Sequence, residues 1–484
     1  WASGALAYTF TLQADESCQF DFVCHLHANH WKMKWQKPPQ PNTSVNKAQQ
    51  DYIKHWKQNQ KIQLDLPDQR FVDAFFAQIN FLYMFTVYNQ PRISPISYPL
   101  WWLRDGSYAI TALDKGGYHD FAEHAVRGAA HRDAFGGFGA EGDGPGEGIW
   151  MLSEHYLLIG SLDFLRDVYP DIERKADLLI KMLHTEVPIT GVTEIRTPQM
   201  MLAPDSDLMC LPADDGMIMG RMDGHFPIVW VNAFAYFGLR RAAMCAALMG
   251  QDGSRFNEAA TELQKTMNRR APELFGKNDR DPNSAFWPTG WASRDSEVIK
   301  RGFENFWNTV RCPDGVYTRE PMWTYFEAGQ AHNYLLLGQV DRTWITIEHF
   351  LTEQIAPGLY TYSEGNNDEN SSLQWQRTRG WDRIHYVTPH GWTAAEFFLL
   401  LRDCLAREEG DKLIIGSGIP AAWLTKAFSV RNLPTHFGSL SFSYQPDGQR
   451  LEVEVERQPA GGVQVAFPAD LHINVSTVSQ PEQA

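Results

Sequence analysis

The chain has 484 residues, of which 43% are hydrophobic and 21% charged, as in ordinary globular proteins. Its formal charge of −15 repels phosphate backbones, so we expect no nucleic-acid partner. No apolar run is long enough to cross a bilayer, so we also expect no membrane insertion. One large domain with smaller appendages is the expectation for this length.

Aromatic residues make up 13% of the chain, and 17 residues are Trp. Trp usually lies in a core or forms a stacking platform for flat apolar faces, which sugar rings present. The six Cys have no CxxC spacing, so we expect neither a zinc cluster nor a dense disulfide framework, and no metal or cofactor. We find no targeting segment, so the expected compartment is cytoplasmic or secreted, with the cytoplasm slightly favoured. The oligomeric state is not indicated.

The chain opens with alternating apolar and polar residues over 6–12 and 18–26, which predicts two antiparallel strands. Two strands alone are only marginally stable. We therefore interpret residues 1–45 as the remnant of an N-terminal β-sandwich with a Pro- and Lys-rich linker.

The pattern then changes to that of amphipathic helices, because apolar residues from Gln69 onward recur every three or four positions. Further helices are predicted over 106–116, 120–132, 147–159, 164–183, 228–248, 255–272, 293–308, 322–337, 341–354 and 391–407. We predict a mainly α fold, an (α/α)6 toroid of about twelve helices over residues 46–410. Long polar and aromatic loops favour this closed toroid over an open solenoid.

The last part of the chain reads as short strands around turns. These strands are predicted over 412–415, 428–430, 438–444, 451–455 and 462–467. Residues 411–484 are therefore expected to form a small β-domain that ends in a polar tail beyond about residue 470.

One candidate binding motif is the sequence Trp101-Trp102-Leu103-Arg104-Asp105-Gly106, just before a predicted helix. It has two interpretations: an N-capping Asp paired with Arg104 beside two core Trp, or a sugar subsite. In the second, Arg104 and Asp105 hydrogen-bond sugar hydroxyls while a Trp stacks on the ring. Trp323 and Trp392, near the starts of two later helices, are further candidates for sugar binding.

A glycine-rich acidic loop, residues 136–150, precedes another helix. It lacks Lys, and its acids would repel phosphate, so it is not a phosphate loop. Asp143 and Glu147 either complement the positive helix end or line the mouth of the toroid.

The densest acidic stretch of the central third contains Asp214 and Asp215. It is interpreted as a solvated loop, a calcium site without EF-hand spacing, or the source of a general acid with a raised pKa. A later loop places Glu364 after two Tyr, and its aromatic content argues against disorder.

No GxSxG or HExxH motif is present, so carboxylates are the simplest catalytic groups. Hydrolysis of a glycosidic bond requires one protonated acid and one carboxylate that activates water or attacks carbon.

On these motifs the chain resembles the six-hairpin (α/α)6 glycosidases, most closely the glucoamylase-like inverting family, over roughly residues 70–410. The resemblance implies that Trp102, Arg104 and Asp105 bind the terminal sugar. Asp143-Gly144-Pro145 is similar to a family loop, and Ser363-Glu364-Gly365 looks like the motif that carries the catalytic base.

The resemblance has two departures. The family's general acid is a Glu, where this chain offers Asp214 and Asp215, and Gly365 stands where the closest pattern has Gln. The implied assignment is Asp215 as acid and Glu364 as base, with Asp214 or Glu141 as substitutes for the acid. Inversion would place the two carboxyls about 6.5–9.5 Å apart.

Other functions are compatible with the same fold. An inverting phosphorylase would need an anion site, for which Arg377, Arg379, Arg383 and His390 are candidates. A polysaccharide lyase or sugar epimerase would rely on His or Tyr bases. A non-catalytic glycan-binding protein would keep the aromatic mouth without the chemistry.

Overall fold

The computed structural model describes residues 7–20, 44–95, 101–136, 139–191, 206–222, 225–226, 228–276, 281–317, 323–353, 357–365 and 387–477. The chain folds into two compact units, which span residues 1–60 and 61–484.

The first unit contains helix α1 (Val45–Asn59), which the apolar pattern of the sequence does not predict. Its N-cap Ser44 accepts a hydrogen bond from the Lys47 backbone N–H at 3.3 Å. Residues 7–20 turn back on themselves, and the Phe20 ring lies 5.1 Å from Tyr8. These residues have no strand hydrogen bonding, so the strand predicted over 6–12 is not formed by its described part, 7–12. The linker lies outside the described residues.

The second unit is built around a closed ring of inner elements. These are α3 (Leu103–Lys115), α5 (Gly144–Ile159), α7 (Ile228–Leu248), a 3₁₀ turn (Asp281–Ser284), α10 (Thr324–Leu336) and α12 (Gly391–Leu405). Each packs on the next, and α12 packs on α3 to close the ring.

An outer layer surrounds these inner elements. It consists of α2 (Gln69–Phe85), α4 (His119–Ala130), α6 (Leu162–His184), α8 (Ser254–Leu274), α9 (Glu297–Phe306) and α11 (Val340–Thr352). The outer helix α2 packs on the last inner helix, α12. The predicted mainly α toroid is confirmed.

The two layers differ in how their side chains are buried. Outer α6 buries one face only, which includes Phe164, Val168 and Ile172, whereas every residue of inner α12 is buried. A helix that is apolar nearly all round belongs inside a protein, and any charged group on it must be buried with it. The predicted helix 391–407 ends two residues early because β9 (Ala406–Glu409) begins there.

The C-terminal strands form two sheets in the same unit as the ring. One joins β9 to β10 (Lys412–Ile415) and β14 (Val463–Val465). The other has the order β1-β11-β12-β13-β15, with β1 (Gln63–Asp65), β11 (Phe428–Thr435), β12 (Gly438–Gln445), β13 (Arg450–Val455) and β15 (His472–Thr477). Strand β15 stands where the sequence predicts a polar tail; all six of its residues are exposed at the sheet edge.

Short strands follow or precede the inner helices. They are β2 (Thr86–Val87), β3 (Gln90–Pro91), β4 (Phe135–Gly136), β5 (Gly139–Ala140), β6 (Ile189–Thr190), β7 (Leu208–Asp214) and β8 (Met217–Gly220). Across the described ranges, no helix combines the length and the apolar character needed to span a membrane.

Candidate active site

The inner helices begin at one end of the ring, which we call the mouth end, defined by the N-termini of α3, α5, α7, α10 and α12. Side-chain contacts join these starts: Arg104 on α3 reaches Asp143 at the cap of α5, and Thr324 on α10 hydrogen-bonds Thr393 on α12 at 2.7 Å. Helix N-termini carry partial positive charge, so this end favours carboxylates.

Arg104 organises a group of acids at the mouth end. Its Nη1 donates to Glu141 Oε2 at 3.0 Å and to Asp143 Oδ2 at 2.8 Å, and all three side chains are buried. Asp143 Oδ2 also accepts a hydrogen bond from Trp230 Nε1 at 3.1 Å. Asp143 stands at the cap position of α5 but makes no side-chain cap hydrogen bond. Its carboxylate therefore hydrogen-bonds within the Arg104 cluster and does not cap the helix.

The glycines of this loop allow backbone segments to come close together. A Cβ on Gly146 would collide with the Phe234 backbone oxygen on α7, and a Cβ on Gly142 would lie 2.8 Å from Gly220 on β8. The close packing of α5 on α7 brings Asp143 to Trp230. The glycine-rich composition thus reflects close packing.

Glu147, in the first turn of α5, is fully buried. Neither of its carboxyl oxygens accepts a hydrogen bond from a described residue. Burial first, and then the Asp143 charge, raise the pKa of Glu147 well above its usual range. Asp143 Oδ1 likewise accepts no hydrogen bond within the described structure, so a protonated Glu147 has an acceptor beside it. Asp143 and Glu147 form a buried carboxyl pair that favours holding one proton.

Aromatic rings lie beside Arg104, which binds Asp143. Trp392 stacks on Tyr325 with 4.2 Å between ring centroids, and Tyr108 lies 5.2 Å from Trp392. The Arg104 guanidinium lies 5.8 Å above the Trp392 ring. Burial, followed by the charges of Glu396 and Glu147, raises the pKa of Tyr108 well above its usual range.

The two indoles of the motif from Trp101 to Gly106 are buried. Arg132 covers Trp101, with its guanidinium 4.6 Å from the ring centroid. The structure places both Trp in the core, as the first interpretation of the motif expects. Arg104 joins the acids at the mouth end and does not form part of a helix cap. Sugar stacking by Trp101 and Trp102 stays a prediction.

Asp105 and Glu364 also lie at the mouth end. Asp105 Oδ1 is 3.7 Å from His390 Nε2 at the start of α12. The Glu364 backbone bonds Thr324 at the start of α10, and Trp323 forms a β-bridge with Gly365. The Glu364 side chain is half-buried. The structure therefore brings Glu364, Trp323 and Asp105 to the same end of the ring as the Arg104 cluster.

Asp214 and Asp215 lie away from this cluster. They are at the exposed turn of the β7–β8 hairpin, where Asp215 has a φ of 48° and precedes Gly216. Asp215 pairs with Arg269 of outer helix α8 at 2.9 Å, and both side chains are more than half exposed. This exposed and paired position does not favour Asp215 as the acid, and that assignment stays a prediction. Asp-Gly favours such tight hairpin turns, which accounts for the acid-rich sequence there.

The anion site expected for a phosphorylase is only partly described. Arg377, Arg379 and Arg383 lie outside the described residues, while burial lowers the pKa of His390 to about 3 and keeps its ring neutral. Within the described ranges, no group of three or more His, Cys, Asp or Glu is placed to hold a metal ion.

Sequence reasoning missed a buried polar group deeper in the ring. Glu396 accepts hydrogen bonds from Trp287 Nε1 at 3.1 Å and from His332 Nδ1 at 3.1 Å. The available signal was a Glu inside the apolar run Trp392 to Leu401, because a charge on such a helix must be buried and paired.

The sequence matches no protein-family model, and comparison with curated proteins finds no match. Solved structures are similar in fold. A GH78 family rhamnosidase of Bacillus sp. GL1 matches with a TM-score of 0.58 and 12% identity, over 87% of this chain and 44% of that one. A sialidase matches with a TM-score of 0.54 and 11% identity, over 83% and 40%.

A wild-type glycosidase matches with a TM-score of 0.50 and 14% identity, over 70% of this chain and 98% of that one. The chain thus spans less than half the length of the rhamnosidase and sialidase chains, but nearly all of the glycosidase aligns with it. This chain has a fold that solved glycosidases also have.

Proposed function

We propose that this protein is a glycoside hydrolase that cleaves a terminal glycosidic bond with inversion, related to the glucoamylase-like six-hairpin enzymes. The observation that carries the proposal is the buried Asp143–Glu147 pair at the mouth end. A carboxyl that keeps its proton near neutral pH can act as a general acid, and burial beside a second carboxylate is a physical means of keeping it.

In the proposed reaction, the Asp143–Glu147 pair gives its proton to the departing glycosidic oxygen. Glu364 removes a proton from a water molecule, which attacks the anomeric carbon from the opposite face. The bond to the leaving oxygen breaks as the bond to water oxygen forms, so the configuration inverts. Arg104 and Asp105 are expected to hydrogen-bond the sugar hydroxyls, and Glu141 is the substitute for the acid.

The proposal is tested with a panel of aryl glycosides in phosphate-free buffer, with product anomers identified by NMR. We expect free sugar of inverted configuration from the wild type, and rate losses in Glu147→Gln and Glu364→Gln. Asp215→Asn is the matched control, because it neutralises an acid on the exposed hairpin.

Each contrary result identifies a different function. Unchanged oligosaccharides after long incubation with folded protein would favour a glycan-binding role. Turnover only when phosphate is added would favour a phosphorylase. Retained configuration would contradict the assigned roles of the carboxyls.

A further inference from the structure

Trp287 follows the 3₁₀ turn of the inner ring and is held from two sides. Its Nε1 donates to Glu396 Oε2 at 3.1 Å, and the His332 imidazole stacks on one of its faces, with 4.0 Å between centroids and an interplanar angle of 20°. The side chain is nevertheless half-buried and not fully enclosed. Part of the residue is therefore accessible.

His332 is held as firmly as Trp287. Its Nδ1 lies 3.1 Å from Glu396 Oε1 and its Nε2 lies 3.0 Å from Asp403 Oδ2, with the ring fully buried. Because carboxylates only accept hydrogen bonds, both ring nitrogens must donate, so the ring is an imidazolium. Burial opposes this charge, but the hydrogen bonds to Asp403 and Glu396 outweigh it and raise the pKa of His332. The cation fixes the ring that supports Trp287.

Trp287 lies at a defined depth below the mouth end. The Trp150 ring stands edge-on to it, with 6.2 Å between centroids. Trp150 is seven residues along α5 from Asp143, and a helix rises about 1.5 Å per residue, so this level lies roughly 10 Å below the candidate acid. Trp150 also contacts Tyr108, which neighbours Trp392. Trp287 therefore belongs to the aromatic interior beneath the site.

We propose that Trp287 is a further sugar-binding residue, a stacking platform for one pyranose ring, and that Glu396, His332 and Asp403 position it. A Trp that is held by a hydrogen bond and by stacking loses little freedom on binding, which suits it to bind an apolar sugar face. This inference rests on the proposed function, because it needs a saccharide that enters at the mouth end.

The test is the change in Trp emission when the cleavable glycoside identified in the panel is added to protein carrying Glu147→Gln. We expect this change to be clearly smaller in Trp287→Phe, because the other candidate sugar-binding Trp residues remain. It should persist in Trp344→Phe. Trp344 is the matched control: it is also half-buried and also donates through Nε1, to the Gly418 oxygen at 2.7 Å, but lies on outer helix α11.

Steady-state kinetics give a second readout. In the otherwise wild-type protein, Trp287→Ala should raise KM on the order of tenfold, with a smaller change in kcat, as expected for a lost stacking contact. Trp287→Phe should restore most of the loss. His332→Gln should raise KM in the same direction, because a neutral amide replaces the imidazolium ring that stacks on Trp287.

The outcomes separate this inference from the proposed function. Hydrolysis with an unchanged KM in Trp287→Ala, or an emission change of full size in Trp287→Phe, overturns the platform while leaving the hydrolase intact. Absence of both binding and turnover in the wild type overturns the proposed function itself.

Discussion

Glu147 and Glu154 are buried acids on the same helix, seven residues apart, yet their pKa values are displaced in opposite directions. Burial acts to raise the pKa of both. At Glu154 the charges of His436, Lys115 and Arg241 outweigh burial and hold its pKa well below the usual range. At Glu147 the neighbouring Asp143 adds to the effect of burial. Surroundings, not burial alone, set the protonation state.

The two ends of the ring differ in the same way. At the mouth end, Glu141, Asp143 and Glu147 gather around Arg104. At the opposite end, acids and cations alternate: Asp403 pairs with Arg402, Arg402 with Glu408, Glu408 with Lys115, and Lys115 with Glu154. The alternating network pairs its charges, whereas the acid-rich mouth raises the pKa of Glu147.

The largest expected effect concerns Glu147. Glu147→Gln removes the transferable proton, so we expect kcat to fall about 10²- to 10⁴-fold, the range typical of a lost general acid. Initial rates on the preferred aryl glycoside measure this change. Undiminished activity would show that another acid donates the proton, and Glu141 would be the first candidate.

The next largest effect is expected for a substitution at Glu154. Glu154→Gln removes the carboxylate that pairs with partly buried Arg241 and leaves buried Lys115 with Glu408 alone, so we expect a loss of about 3–5 kcal/mol in the free energy of unfolding. Chemical denaturation measures it, while the folded fraction keeps its specific activity. Arg294→Gln breaks the half-exposed pair with Glu409 and should change stability by about 0.2–1 kcal/mol. Equal losses in both variants would contradict the role of the buried network.

A smaller effect is a gain in stability. The unfolded chain releases the Glu147 proton above a pH near 4.5, while the folded chain retains it, so rising pH favours unfolding through this group. Glu147→Gln removes this penalty and should stabilise the protein at pH 7 by about 1–3 kcal/mol. The difference in Tm from the wild type should shrink toward pH 4. A constant difference across this range would indicate an effect of packing alone.

The smallest effect is expected at Asp215. Asp215→Asn breaks a well-exposed ion pair with Arg269, so stability should change by less than about 1 kcal/mol and kcat should stay within error. A large loss of activity would support Asp215 as the general acid. It would contradict the assignment of that role to the mouth end of the ring.

Much of the fold could be predicted from the sequence because helix periodicity is local. The predicted helix over 164–183 corresponds to α6, and the strands around 438–444 and 451–455 correspond to β12 and β13. Helix α1 and the edge strand β15 were missed because α1 buries no residue and β15 is wholly exposed, so neither showed a clear burial pattern.

The candidate site could be predicted less well. Asp143 was already a candidate to line the mouth, but acid density alone did not distinguish the turn at Asp215 from a site. Hairpin register and burial distinguish an exposed turn from a site, and neither can be predicted from local composition. Trp287, His332 and Glu396 are separated by dozens of residues, and only ring closure brings them together.

The protonation state of Glu147 tests the central claim most directly. Infrared difference spectra of the wild type and Glu147→Gln at pH 7 report the carbonyl stretch of a protonated carboxyl. We expect this band in the wild type, and its loss in Glu147→Gln but not in Asp215→Asn. Absence of the band in the wild type, or its persistence in Glu147→Gln, would contradict a proton held at the mouth end of the ring.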